Sequence, residues 1–271
     1  MKKPLREQAV EYLQYLKEQG VTHVPSSGKT FAKAPAATAP RPSRPTASSL
    51  PPAPPPPPPT APRRPPTAAA PAAVPAKPPK GGKDTLASIA AEIAACELCP
   101  LAATRKNVVP GQGLLRPDIM FIGEGPGADE DEQGLAFVGR AGQLLTKMIN
   151  AMGYSREQVF IGNIVKCRPP GNRVPTPEEM AGCIPYLKRQ IAVIQPKLIV
   201  CLGATAARGL VNETLPIGKA RGSWREFEGI PVMLTFHPAY LLRDPRQKAH
   251  CWADLKAVLA RLGKTPPAKD T

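Results

Sequence analysis

The sequence predicts an α/β domain, and three observations lead there. Four short, β-rich apolar runs, Ile119 to Ile122, Val159 to Val165, Leu198 to Leu202 and Val232 to Phe236, are separated by segments with helical periodicity. That alternation predicts a three-layer αβα domain, with a central four-stranded parallel sheet covered by helices. The third observation lies upstream. Of the 37 prolines, 19 fall between Ser26 and Lys83, in a stretch too poor in large apolar residues to build a core and therefore expected to be disordered.

The chain accordingly divides into a short N-terminal helix (1–25), a Pro/Ala-rich basic linker (26–83), one folded domain (84–262) and a tail (263–271). Residues 1–19 read as an amphipathic helix, with Val10, Leu13 and Leu16 on one side, a face that suits a protein partner. Arg6, Glu7, Glu11 and Lys17 break any continuous apolar run, so this is not a leader peptide, and no later stretch reaches membrane-spanning length. The net charge of +15 is uneven: the linker has nine bases and no acids. Runs such as Pro54 to Pro59 favour polyproline II, in which those bases cannot pair internally; a polyanion partner and a merely soluble spacer both fit. A cytoplasmic location, with reduced cysteines and thiolate ligation rather than disulfides, is expected.

Within the folded part, helices are expected at Thr85 to Ala95, Ala141 to Met152, Pro177 to Ile194, Ala204 to Val211 and Gln247 to Leu262. The third has a marked start: Thr176 can cap, Pro177 suits the first helical position, and Glu179 can complete a capping box. Ligands of open parallel sheets bind beyond the carboxyl ends of the strands, and Gly123, Asn163, Gly203 and His237 all fall at or just after such ends. Residues more than 100 positions apart thereby become candidates for one site.

Cys96-Glu97-Leu98-Cys99 lets two thiolates reach one metal centre, and Cys167 and Cys183 follow after 67 and 15 intervening residues. On its own this pattern leaves zinc, redox chemistry and chance open, although zinc ribbons usually supply a second close pair. Cys201, in a strand run, and Cys251, on an amphipathic helix, read as packed core thiols. The loop Gly123-Glu124-Gly125-Pro126-Gly127-Ala128 formally fits the dinucleotide fingerprint G-x-G-x-x-A. Its context does not: Pro126 and Gly127 discourage an immediate helix, and Asp129, Glu130, Asp131 and Glu132 would repel a pyrophosphate.

In motif identity, order and spacing, the segment from about Cys96 to Leu262 resembles the family 4, iron-sulfur uracil-DNA glycosylases. The resemblance rests on the four cysteines, the Gly123-Glu124-Gly125-Pro126-Gly127 loop, Ala136-Phe137-Val138-Gly139-Arg140-Ala141-Gly142, Asn163 and the loop His237-Pro238-Ala239-Tyr240-Leu241-Leu242-Arg243. It implies a structural 4Fe-4S cluster on Cys96, Cys99, Cys167 and Cys183. It also implies a uracil pocket lined by Gly123, Glu124 and Gly125, with Glu124 beside the scissile bond and Phe137 stacking on the flipped base. Asn163 would read uracil O4 and N3–H, a pattern that cytosine reverses. His237 would face O2 as negative charge develops on the base. Tyr240, Leu241, Leu242 and Arg243 would wedge into DNA, and Glu130 would crowd C5 and exclude thymine.

The function implied is hydrolysis of deoxyuridine in single- or double-stranded DNA, by a monomer, leaving an abasic site. A uracil-DNA sensor trapped on the abasic sugar is a second reading. Such proteins carry a histidine in a basic loop, and the corresponding Gly218 to Trp224 has none. A polymerase-associated accessory role is a third, against which the complete pocket motifs argue.

Overall fold

The structure, a computed structural model, describes residues 84–267. The expected N-terminal helix, the basic linker and the end of the tail lie outside the described residues.

The domain is α/β, as expected, with six strands in the order β1-β3-β2-β4-β6-β5. Four of them, β2 (Ile119–Gly123), β3 (Phe160–Asn163), β4 (Leu198–Leu202) and β6 (Ile230–Thr235), are the expected parallel strands. The expected count of four is corrected by two antiparallel edges: β1 (Gln112–Gly113) beside β3 and β5 (Trp224–Phe227) beside β6. Antiparallel edges need no crossover helix, so short turns suffice to add them.

Alternate strand residues serve two cores. Met120, Ile122, Ile199, Cys201, Val232 and Leu234 pack under helices α4 (Pro177–Ile194) and α5 (Ala204–Val211). Ile119, Phe121, Ile161, Val200 and Met233 pack under α3 (Arg140–Ala151) and α8 (Lys248–Arg261). Each fully buried Leu, Ile or Phe side chain stabilises this arrangement by roughly 1.5–3 kcal/mol. Cys201 is buried in the first of these cores and Cys251 in a smaller cluster with Phe236 and Leu241, both as expected.

α4 starts as expected: Thr176 Oγ1 accepts from Glu179 N, while the Glu179 carboxylate accepts from Thr176 N and is gripped by Arg173. The first helix, α1 (Leu86–Ala94), is tied to α4 by Arg189, whose guanidinium bonds both Asp84 and Glu92. Two further helices appear where loops were expected. α2 (Ala128–Gln133) starts directly after Pro126-Gly127, and α7 (Pro238–Arg243) contains most of the HPAYLLR segment. α6 (Ile217–Ala220) is a single turn. Among the described residues no helix is long and apolar enough to cross a membrane.

Candidate active site

Gly123, Glu124, Gly125, Asn163 and His237 sit at or just after the carboxyl ends of the parallel strands, Phe137 reaches Gly123 from the loop before α3, and Glu130 lies on α2. β2 ends on Gly123 and β3 on Asn163, and the two are direct partners in the ladder. Beyond the ladder, Ile164 and Val165 donate backbone N–H to the carbonyls of Gly123 and Glu124, so the loop leaves the sheet in a fixed direction. Gly123 must be glycine: a Cβ there would stand 2.4 Å from the Phe137 ring and 2.5 Å from Asn163 Oδ1. A Cβ at Gly125 would likewise meet Val165 Cγ2 at 2.7 Å.

Asn163 is buried, and its Oδ1 has no hydrogen-bond partner. Among the described residues Gln190 Oε1 is the other buried side-chain polar atom so placed. Leaving such an acceptor unpaired costs about 1–3 kcal/mol, which a ligand donor would recover.

Phe137 adopts φ +54°, a left-handed conformation unfavourable for a bulky residue. It is imposed from several sides. Ala136 N donates to Gln112 Oε1, Ala136 O accepts from Arg156, and Gly142 of α3 presses on the Phe137 carbonyl so closely that a Cβ would overlap it. Strain held in this way is a mark of a pre-organised site. The Phe137 ring lies 5.6 Å, centroid to centroid, from the imidazole of His237.

His237 caps α7, its Nδ1 accepting from Ala239 N at 3.1 Å. An accepting Nδ1 carries no proton, so the neutral ring has its proton on Nε2 and offers a donor there. Burial, with Arg243 adding a like charge, pushes the imidazole down to about 4. Gly203, at φ +91°, brings the end of β4 against this ring: a Cβ would lie 3.0 Å from His237 Cβ.

Glu124 extends from the loop after β2, and its carboxylate accepts a hydrogen bond from Thr205 Oγ1 in the first turn of α5. Glu130 does not stand free. Its Oε1 accepts from Val138 N and Gly139 N, both at 2.9 Å, and its Oε2 from Gly127 N at 3.0 Å. It therefore braces the Gly127 and Phe137 loops against each other. Asp131 is buried too, accepting from Lys106 N and Asn107 N. Half of the acidic run thus serves backbone N–H groups rather than solvent.

The four expected DNA-wedge residues divide. Leu241 is buried with Phe236 and Cys251, and Tyr240 packs on the Phe236 ring. Helical periodicity turns Leu241 inward in this structure. Leu242 and Arg243 are exposed.

Cys96, Cys99, Cys167 and Cys183 line one pocket with Arg105, Lys166 and apolar side chains, about 310 Å³ including its open mouth. Arg105 Nη1 donates to Cys167 Sγ at 3.3 Å and Lys166 N to Cys183 Sγ at 3.2 Å. Burial raises the thiols of Cys99 and Cys167 and pushes Cys183 up to about 12, so their thiolates call for a cationic partner. Among the described residues no group of three or more His, Cys, Asp or Glu side chains is arranged to hold a metal ion. Lys166 connects this pocket to the other: it is buried, and its Nζ donates to Asn163 O at 2.9 Å.

Sequence reasoning missed Thr205, Lys166, Arg105 and Arg156. Only the last had a local signal, an arginine just before a strand; the others become partners through the fold.

A profile of the uracil DNA glycosylase superfamily matches residues 110–256. The type-4 uracil-DNA glycosylase of Archaeoglobus fulgidus is 42% identical over 192 residues, covering 68% of this chain and 96% of the relative. That of Thermotoga maritima is 49% identical over 158 residues, covering 58% and 82%. A type-5 uracil-DNA glycosylase of Pyrobaculum aerophilum is more distant, 29% identical over 153 residues, covering 49% and 66%. With its pocket on the carboxyl ends of the parallel strands, the chain belongs to the uracil-DNA glycosylase superfamily, in the type-4 family.

Proposed function

We propose that this chain is a DNA-repair hydrolase that excises uracil from DNA, using Asn163, Phe137, His237 and Glu124 on one flipped nucleotide. The observation that carries this reading is the buried, unpaired Oδ1 of Asn163. Uracil presents N3–H to such an acceptor and O4 to the amide donor beside it; cytosine presents an acceptor and a donor in the opposite places. Phe137 offers a flat face for the base. His237, with Nδ1 accepting from Ala239 N, has Nε2–H left to offer to O2.

As the bond between C1′ and N1 breaks, its electron pair passes to the base, and the neutral imidazole donor lowers the energy of the resulting anion. The Glu124 carboxylate stabilises the oxocarbenium-like sugar and orients a water, which adds its oxygen to C1′ and passes a proton to that carboxylate, while the uracil anion takes up a proton from solvent and Glu124 later returns its own. Free uracil and an abasic site result. Glu130 acts on specificity through the loops it braces, narrowing the pocket by holding Phe137 in place. Leu242 and Arg243 are the exposed candidates for filling the vacated stack and touching phosphate. One chain supplies every group, so a monomer suffices. Reduced thiols suit the cytoplasm.

The donor set of the second pocket fits a 4Fe-4S cluster: four thiols, two N–H donors to sulfur, apolar walls and no competing carboxylate. Among the described residues the four thiols are not arranged to close on a single metal ion, so the group they would hold is a larger one. When bound, the cluster supplies structural cross-linking. Cys96, Cys99, Cys167 and Cys183 would join the segment after α1 to the β3–α4 connection, through Cys167, and to α4 itself, through Cys183.

The test is an oligonucleotide with one uracil, followed by cleavage at abasic sites and elemental analysis of the protein. Repeated turnover with iron near four per chain is expected. A stoichiometric covalent adduct would make the protein a sensor; zinc in place of iron would overturn the cluster.

A further inference from the structure

We propose that Thr205 is a positioning residue for excision, its hydroxyl fixing the Glu124 carboxylate in its working orientation. The inference rests on the reading of Glu124 as the carboxylate at the scissile bond. A carboxylate can only accept, so the hydrogen between Thr205 Oγ1 and Glu124 Oε2 belongs to the threonine. Thr205 is 6% exposed, which leaves solvent little room to replace it as donor.

Its position makes the contact specific. A threonine inside a helix commonly returns its hydroxyl to the carbonyl four residues back. Here that residue is Cys201, within β4, so the hydroxyl is free to point at the β2 loop. Gly203 is the N-cap of α5 and Thr205 its second residue, so the carboxylate bonded to Thr205 lies beside the first, positive turn of the helix. The same β4–α5 junction touches His237 through Gly203. One rigid corner thus sets both the carboxylate and the imidazole, and with Oε2 fixed, Oε1 remains for water and sugar.

The experiment compares Thr205→Val, nearly isosteric, and Thr205→Ser, which restores the hydroxyl, in the wild-type and Glu124→Gln backgrounds. Single-turnover excision at saturating DNA, DNA affinity and Tm are read for each. Thr205→Val should slow excision by about 10- to 100-fold, the effect of losing one hydrogen bond to a charged group, with affinity within about twofold. Thr205→Ser should recover to within about threefold of wild type. In the Glu124→Gln background Thr205→Val should cost nothing more, because residues acting as a unit are not additive. Equal losses in both backgrounds, a wild-type rate for Thr205→Val, or a Ser variant as slow as Val would overturn the proposal. If Val does not fold, Thr205→Ala carries the same comparison. A wild-type protein that releases no uracil would instead overturn the functional reading beneath it.

Discussion

His237 should work as a neutral donor throughout the physiological range, and acidification tests this directly. With its imidazole held down to about 4, roughly 3% is protonated at pH 5.5. An unperturbed histidine near 6.5 would be about 90% protonated there. Single-turnover excision should therefore show no histidine step between pH 8 and 5.5. His237→Ala should lose about 10²- to 10³-fold in rate, the usual effect of removing one such donor. The same burial has a stability consequence whose sign is fixed. The folded pKa lies below the unfolded one, so protons favour the unfolded chain; the stability is complete above about 6.5 and is lost as pH falls towards 4. The loss amounts to about 2 kcal/mol at pH 5. Urea unfolding at pH 7 and 5 should show it in the wild type and lack it in His237→Asn. ¹⁵N spectra should find Nδ1 unprotonated, as its bond from Ala239 N requires. An imidazole titrating near 6.5, or a proton on Nδ1, would rule out the neutral-donor role.

Three further outcomes are expected. Gly123→Ala should fold, because the backbone there is not left-handed, yet lose uracil excision by more than about 100-fold as its methyl enters the space between Phe137 and Asn163; retained activity would show that the base sits elsewhere. Asp118 is held down to about 2 because bonds from Lys197, Lys264 and Tyr154 outweigh its burial. Asp118→Asn should cost about 1–2 kcal/mol at pH 7, allowing for solvent around the lysines, and urea unfolding should show the gap closing as pH falls from 4 towards 2. Removing residues 1–83 should leave single-turnover excision intact and flatten the salt dependence of DNA binding, by about 0.7–0.9 in the log–log slope for every phosphate that the linker neutralises. An unchanged slope would make the linker a spacer.

The sheet was legible because its central strands are buried on both faces and read as unbroken β-rich runs, while capped helices such as α4 announce their starts. The edge strands were not. β1 is two residues long, and β5 carries Arg225 and Glu226, so neither forms an apolar run. The pocket was legible where a residue type is unusual for its place, as with Asn163 ending a buried strand. Thr205 looked like ordinary helix, and its partner lies 81 positions away. The burial of Glu130 and Asp131 was not legible, because composition cannot show that nearby loops offer N–H groups to them. Leu241 and Leu242 are equally apolar, and only the turn of α7 decides which one faces water.

Base selection rests on Asn163, and paired excision assays on uracil and cytosine in the same oligonucleotide measure it. The wild type should release uracil and leave cytosine by a margin of roughly 10⁴-fold or more, as a site built on paired hydrogen bonds does. Asn163→Asp should lose uracil excision and gain slight cytosine excision, because a carboxyl can accept from the cytosine amino group that the amide repels. A wild-type protein that removes both bases alike, or an Asn163→Asp variant with full uracil activity, would show that Asn163 does not read the base.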